Sequence, residues 1–191
     1  MKLGRHDSSL VSFTNSLLSR IGRSTALVNC DFGTRGDDGT DPQAALMESI
    51  LILDDDAANL QGIAGVLRSE HYSVLEASTG LQAIETVKAC GPMSLFVTDM
   101  DLSRSSGTDI ALKLVALYPN LPVLFISGTP RVWWTSRDVS NIQRFPPNSV
   151  DFLEKPFSVS QLLIRVRNLI GRTRTITSKW LAFGGSSSNV A

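Results

Sequence analysis

An α/β domain built on a five-stranded parallel sheet, doubly wound with helices on both faces, is the fold that this sequence predicts. Short apolar runs of strand length recur from residue 49 onward. Between them lie segments whose apolar residues repeat at helical spacing, the alternation that builds parallel sheets through right-handed crossovers. The carboxylates, a hydroxyl and a lysine fall just after the runs, where open parallel sheets gather their ligands.

Residues 50–53, 74–77, 95–98, 123–126 and 150–153 are the five runs, rich in Val, Ile, Leu and Phe. After the first run, Leu60, Ile63, Ala64 and Leu67 share one helix face, and after the second Ala83, Ile84 and Val87 do the same. Ile110, Leu114 and Leu117 follow the third run; Val159, Leu162, Leu163, Val166 and Ile170 follow the fifth. Residues 129–148 are the weak point, since only Val132, Val139 and Ile142 suggest a short fourth helix there. Five strands and five helices are thus expected within residues 48–172.

The chain has 191 residues, 42% of them hydrophobic, enough to bury a proper core. Lys plus Arg equals Asp plus Glu at 18 each, so no overall field points to nucleic acid or to a basic partner. Cys30 and Cys90 lack metal-ligand spacing, which fits free thiols in a reducing compartment, a single long-range disulfide being the less favoured alternative. No stretch reaches the roughly 18 apolar residues of a membrane span, and no signal-peptide core opens the chain, so a cytoplasmic location is expected. Leu10, Phe13, Leu17 and Ile21 stand at helical spacing among Ser and Arg. Transit peptides share that pattern, and a loosely held amphipathic helix is the plainer reading. Residues 28–42, rich in Gly and Asp, read as a connector. The expected organisation is a largely flexible extension over 1–47, a folded domain over 48–172 and a flexible tail over 173–191. Met47, just before the first run, also raises an internal translation start, which the intact mass of the native protein would distinguish.

Asp54, Asp55 and Asp56 end the first run side by side. Neighbouring carboxylates repel by about 1 kcal/mol in water and about 4 kcal/mol at a protein-like effective dielectric, so solvent, a helix N-terminus or a cation must offset them. Asp99 ends the third run, Ser127 the fourth, and Lys155 follows the fifth. Such a set suits Mg²⁺, which takes one or two carboxylates, a carbonyl, waters and a phosphoryl oxygen. An aspartate there can be a nucleophile that forms an acyl phosphate, provided a cation and a lysine neutralise the transferred group. Taken singly, Asp99 reads as a loop cap, Lys155 as a solvated lysine and Ser127 as a turn residue. Their arrival on one sheet edge favours the chemistry. Asp56, at the start of the first helix, is suited to capping.

The motifs "LILDDD", "LFVTDMDLSRSSG", "VLFISG" and "FLEKPF" resemble, in order and near-spacing, the receiver domain of two-component response regulators over residues 48–158 and on through the last helix. The resemblance implies a flavodoxin-like (βα)5 fold and a role for each matching residue. Asp99 would be the phosphoacceptor and Asp55 a direct ligand of Mg²⁺. Asp54 would act on the metal through water, and the Asp101 backbone carbonyl would be a further ligand. Ser127 would bond the phosphoryl group, Lys155 would pair with it, and Phe152 would be an aromatic switch, a plain core phenylalanine being the alternative. Pro156 would follow a cis bond and Gly107 would close the active-site loop. A histidine kinase or histidine phosphotransfer protein is the implied donor, and an unknown downstream protein the implied target. No external substrate turns over, and no DNA-binding or membrane role is expected.

Three departures stand out. Ser103 replaces the proline usual in the phosphoacceptor loop; Asp101 adds a carboxylate beside Asp99; and the interval from Ser127 to Lys155, holding Trp133 and Trp134, is longer than usual. Adjacent tryptophans cannot share one helix face, so one of them is expected near the surface. Asp99 and Asp101 also resemble the nucleophile motif of haloacid-dehalogenase-type phosphatases, although the motif order argues against that family. A degenerate receiver acting only as a binding module is the third reading.

Overall fold

The computed structural model describes residues 48–183, with side chains through 172. The expectations for 1–47 and 184–191 lie outside the described residues. β1 (Ser49–Leu53), β2 (Ser73–Ala77), β3 (Leu95–Asp99), β4 (Val123–Ser127) and β5 (Val150–Glu154) form a parallel sheet in the order β2-β1-β3-β4-β5. The helices are α1 (Ala57–Ser69), α2 (Gly80–Cys90), α3 (Gly107–Leu117), α4 (Ser136–Ile142) and α5 (Val159–Phe183). This is the flavodoxin-like strand order, whose switch point lies between β1 and β3.

Every residue of β1, β3 and β4 is buried, which is why these strands read as unbroken apolar runs rather than alternating ones. Successive side chains still go to opposite faces. Ile50 and Ile52 pack with α1 and α5, whereas Leu51 and Leu53 pack on the side of α2 and α3. The register sets the site: Leu53 pairs with Thr98, so Asp54 and Asp99 leave neighbouring strands at one level. Asp99 pairs with Ile126, which puts Ser127 one step beyond. Ser127 pairs with Glu154, so Lys155 follows on the adjacent strand.

Each helix begins on a polar cap. The Asp56 carboxylate accepts from the Ala58 and Asn59 N–H groups at 2.8 and 3.0 Å, as its position suggested. Thr79, Ser106 and Thr135 cap α2, α3 and α4. Asp56→Ala is expected to lower stability by about 1 kcal/mol in urea unfolding. The Asp56 N–H that donates to Asp54 Oδ1 belongs to the backbone and survives the change.

Several expectations need correction. α5 continues to Phe183, past the boundary at 172. Gly171 does not end the helix, since a lone glycine costs it only about 1 kcal/mol relative to alanine, and no proline follows. Leu117 and Val159 are exposed because they lie at the last and first positions of their helices, where the apolar stripe leaves the sheet. In α4 the buried residue is Asn141, while Val139 is exposed; Val132, also exposed, lies before α4 in a 3-10 turn, Arg131–Trp133. Cys90 is disulfide-bonded, where a free thiol was the favoured expectation. No helix among the described residues is long and apolar enough to cross a membrane.

Candidate functional site

Asp99 is fixed from both sides of its own backbone. The Met100 N–H donates to the Ile126 carbonyl of β4 at 2.8 Å, and the Thr98 hydroxyl donates to the Asp99 carbonyl at 2.9 Å. Beyond it the chain makes a small hairpin, Asp101–Leu102 against Ser105–Ser106, and the Gly107 N–H closes the loop on the Met100 carbonyl at 3.0 Å. A Cβ on Gly107 would stand 2.0 Å from the Asp99 carbonyl oxygen, so only glycine fits there.

Asp99 is buried, at 9% exposed. Its Oδ1 accepts from the Asp101 N–H at 2.8 Å, and its Oδ2 accepts from Lys155 Nζ. Asp54 Oδ2 lies 3.6 Å from the same ammonium, and Asp54 Oδ1 accepts from the Asp56 N–H at 2.9 Å. Burial pushes Asp54 above the ordinary carboxylate range, outweighing the Asp56 N–H and Lys155, with the negative charge of Asp99 adding to the rise. Burial alone would lower Lys155, but its hydrogen bond to Asp99 and the charges of Asp99 and Asp54 prevail and raise it. The ammonium serves chiefly Asp99, which is why Asp54 stays raised although a lysine is near. The Lys155–Pro156 bond is cis, as the resemblance implied.

Asp54 and Asp55 therefore divide. Asp55 is exposed, and its Oδ2 accepts from the Ser103 N–H at 2.7 Å; the hydrogen bonds of Ser103 hold it below the ordinary range. Ser103, where the family usually has proline, thus supplies a donor that proline lacks. Among the described residues no three His, Cys, Asp or Glu side chains form a metal-holding group. A magnesium ion needs only one or two carboxylates and keeps several waters, so the hard oxygens of Asp55, Asp99 and the Asp101 carbonyl suit it in chemical type.

Ser127 is buried at the end of β4 and its hydroxyl lies 2.9 Å from the Thr129 carbonyl. Asp101 is exposed, and its carboxylate is bonded to this turn: its Oδ2 accepts from Thr129 Oγ1 at 3.0 Å and lies 3.4 Å from Ser127 Oγ. Phe152 is half-buried within an aromatic group. It stacks on Phe125 at 5.5 Å and meets Trp134 at 5.0 Å, and the Arg131 guanidinium lies 4.3 Å from its ring centroid. Of the two tryptophans, Trp134 packs inward and Trp133 is exposed.

Sequence reasoning missed Thr129, Arg131 and the polar seam between α3 and α4. Asp138 Oδ1 accepts from Ser106 Oγ at 2.6 Å and Thr108 Oγ1 at 2.8 Å, and its Oδ2 accepts from Thr135 Oγ1 at 2.5 Å. Burial opposes its ionisation, yet the three hydroxyls together hold it below the ordinary range. Hydroxyl-rich N-caps facing a lone aspartate are the only sequence signal of this seam. Asp138→Ala is expected to cost about 2 kcal/mol near neutral pH. A depressed carboxylate stabilises above its unfolded value and loses that contribution as pH falls through its folded one. The gap between variant and parent in urea unfolding should accordingly shrink below about pH 4.

The family model described as response regulator receiver domain matches residues 50–167. The chain belongs to this family. Similar relatives include the transcriptional regulatory protein YvrH of Bacillus subtilis, 32% identical over 126 residues, covering 65% of this chain and 50% of that protein. The response regulator MprA of Mycobacterium leprae is 32% identical over 125 residues, covering 65% and 52%. This chain spans about half the length of these curated relatives. Among solved structures, a response regulator receiver protein from Sinorhizobium medicae WSM419 superposes with a TM-score of 0.58 at 29% identity, over 68% of this chain and 98% of that one. A receiver domain protein from Clostridium thermocellum shares the fold, with a TM-score of 0.59 at 24% identity over 68% and 99%. The receiver fold of two-component signalling is thus the fold of this chain, and the phosphatase resemblance of Asp99 and Asp101 gives way to it.

Proposed function

We propose that the domain accepts a phosphoryl group on Asp99 and signals through a protein-binding surface. The observation that carries this reading is Lys155 Nζ bonded to Asp99 Oδ2 with Asp54 close behind it. An oxygen of Asp99 forms the new O–P bond while the N–P bond to a donor phosphohistidine breaks. The electron pair stays with the imidazole, which takes up a proton from water. Lys155 meets the charge carried onto the transferred group, and Ser127, whose hydroxyl can turn from Thr129, offers a further donor. Asp55, Asp99 and the Asp101 carbonyl would hold Mg²⁺, with Asp54 reaching it through water; when bound it supplies charge neutralisation on the phosphoryl oxygens. The donor is a histidine kinase or histidine phosphotransfer protein in the cytoplasm. The target is a downstream protein that reads the Phe152 face. The domain turns over no external substrate.

Incubation with acetyl phosphate and Mg²⁺, followed by intact mass, tests the reading. One added phosphoryl group that EDTA prevents and Asp99→Asn abolishes is the expected result. Rapid turnover of a phosphomonoester would return the phosphatase reading, and a folded protein that gains nothing would leave a binding module.

A further inference from the structure

All the polar groups of Thr129 are engaged, and together they join the phosphoacceptor loop to the aromatic group around Phe152. Its hydroxyl donates to Asp101 Oδ2 at 3.0 Å, and its N–H donates to Ser127 Oγ at 3.0 Å. Its carbonyl accepts from Ser127 Oγ at 2.9 Å and from Trp134 Nε1 at 3.0 Å. Trp134 in turn lies against Phe152, and Arg131, from the same turn, stands over both rings, 4.3 Å from the Phe152 centroid and 5.4 Å from that of Trp134. The turn between β4 and α4 therefore covers Phe152 with its own side chains. Its anchor on the other side is Asp101, two residues from Asp99.

We propose that Asp101 is a positioning residue: through Thr129 its carboxylate latches Trp134 and Arg131 over Phe152 in the unmodified protein, and release of this latch uncovers the surface. The proposal rests on Asp99 being the phosphoacceptor only for its trigger. Ser127 has one hydroxyl proton. When that proton turns toward a phosphoryl group, the Thr129 carbonyl loses one of its two donors and the Ser127–Asp101 contact opens. The latch then hangs on the single Asp101–Thr129 bond, and the turn is free to move with Ser127. The aspartate noted above as an extra charge beside Asp99 thus acts on the turn rather than on the leaving group.

The test uses the full chain carrying Trp133→Phe and Trp180→Phe, so that Trp134 is its one tryptophan. Acrylamide quenching of its emission is read without any phosphoryl donor, then with acetyl phosphate and Mg²⁺, with intact mass taken in parallel. Without donor, Asp101→Ala and Thr129→Val should each raise the quenching constant about twofold as the closed population falls. Asp101→Asn, which keeps an acceptor oxygen, should stay near the parent. With donor, the parent should rise to the Asp101→Ala value, and Asp101→Ala should rise no further. Quenching in Asp101→Ala and Thr129→Val equal to the parent overturns the latch, whether or not a phosphoryl group is gained. A parent that gains the group with no change in quenching overturns the trigger. If no mass is gained, the phosphoacceptor reading has failed, and the donor-free arm still decides the latch.

Discussion

Gly107→Ala is expected to destabilise the domain by about 3 kcal/mol and to abolish phosphoryl incorporation, a large effect for one methyl group. The cause is steric. The added Cβ would stand 2.0 Å from the Asp99 carbonyl oxygen and 3.0 Å from both its carbonyl carbon and Thr98 Oγ1. Backbone atoms have no rotamer by which to escape, so the Asp99 peptide must shift and carry its carboxylate away from Lys155. That shift would also break the Thr98 hydroxyl bond to the same carbonyl. Gly62 and Gly65, in α1, provide the control: nothing lies within 4 Å of a Cβ at either. Alanine there should add about 0.5–1 kcal/mol through helix propensity, and leave phosphorylation intact. Urea unfolding with intact mass on the same samples reads both effects. A Gly107→Ala protein as stable as the parent would show that the loop relaxes without moving Asp99.

Lys155→Met should have the second large effect, on rate and stability together. Losing the ammonium removes the donor aimed at the transferred group, for which about 100-fold slower incorporation from acetyl phosphate is expected. It also leaves Asp54 and Asp99, both buried, without their common cation. Removing one partner of a buried pair costs about 3–5 kcal/mol, and with the Lys155 side chain 25% exposed, screening should bring the loss at pH 7 toward about 2 kcal/mol. The sign of the pH dependence follows from the direction of each shift. A carboxylate raised in the folded state weakens folding above its folded pKa and is relieved as pH falls through it, so the variant should approach the parent near pH 4. Lys155 is itself raised above 10.5, so its contribution is complete below that value and is lost only as pH climbs through the folded one. The gap should hold at pH 9 and narrow above pH 10.5. Melting at these pH values checks the whole curve.

The sheet was legible in the sequence because its three central strands are buried on both faces, which leaves an unbroken apolar run with little room for ambiguity. Asp54, Asp99, Ser127 and Lys155 were legible for a related reason: once the strands are placed, their C-terminal ends are placed too. The turn after β4 was not. Its order comes from polar and aromatic contacts spread over distant positions, Asp101 with Thr129 and Trp134 with Phe152, which leave no period to read. The fourth helix was expected and is present over Ser136–Ile142, but most of what holds it left no period to read. It is held by Asn141, which donates to Thr108 Oγ1 and Asp109 Oδ1, and by Asp138, while of the expected apolar residues only Ile142 packs on the core. Asp56 was readable from its cap position alone; the resemblance already divided Asp54 from Asp55, and the structure adds that Asp54 is buried and that Asp55 is exposed and bonded to the Ser103 N–H.

The central claim is that Asp99 is the phosphoacceptor, and mapping the adduct tests it most directly. Protein treated with acetyl phosphate and Mg²⁺ should yield one modified peptide, that containing Asp99, with a phosphoryl group lost to hydroxylamine as an acyl phosphate is. A hydroxylamine-stable phosphoryl group on Ser103, Ser105 or Ser127, or an acyl phosphate on Asp54 or Asp55, would contradict the account.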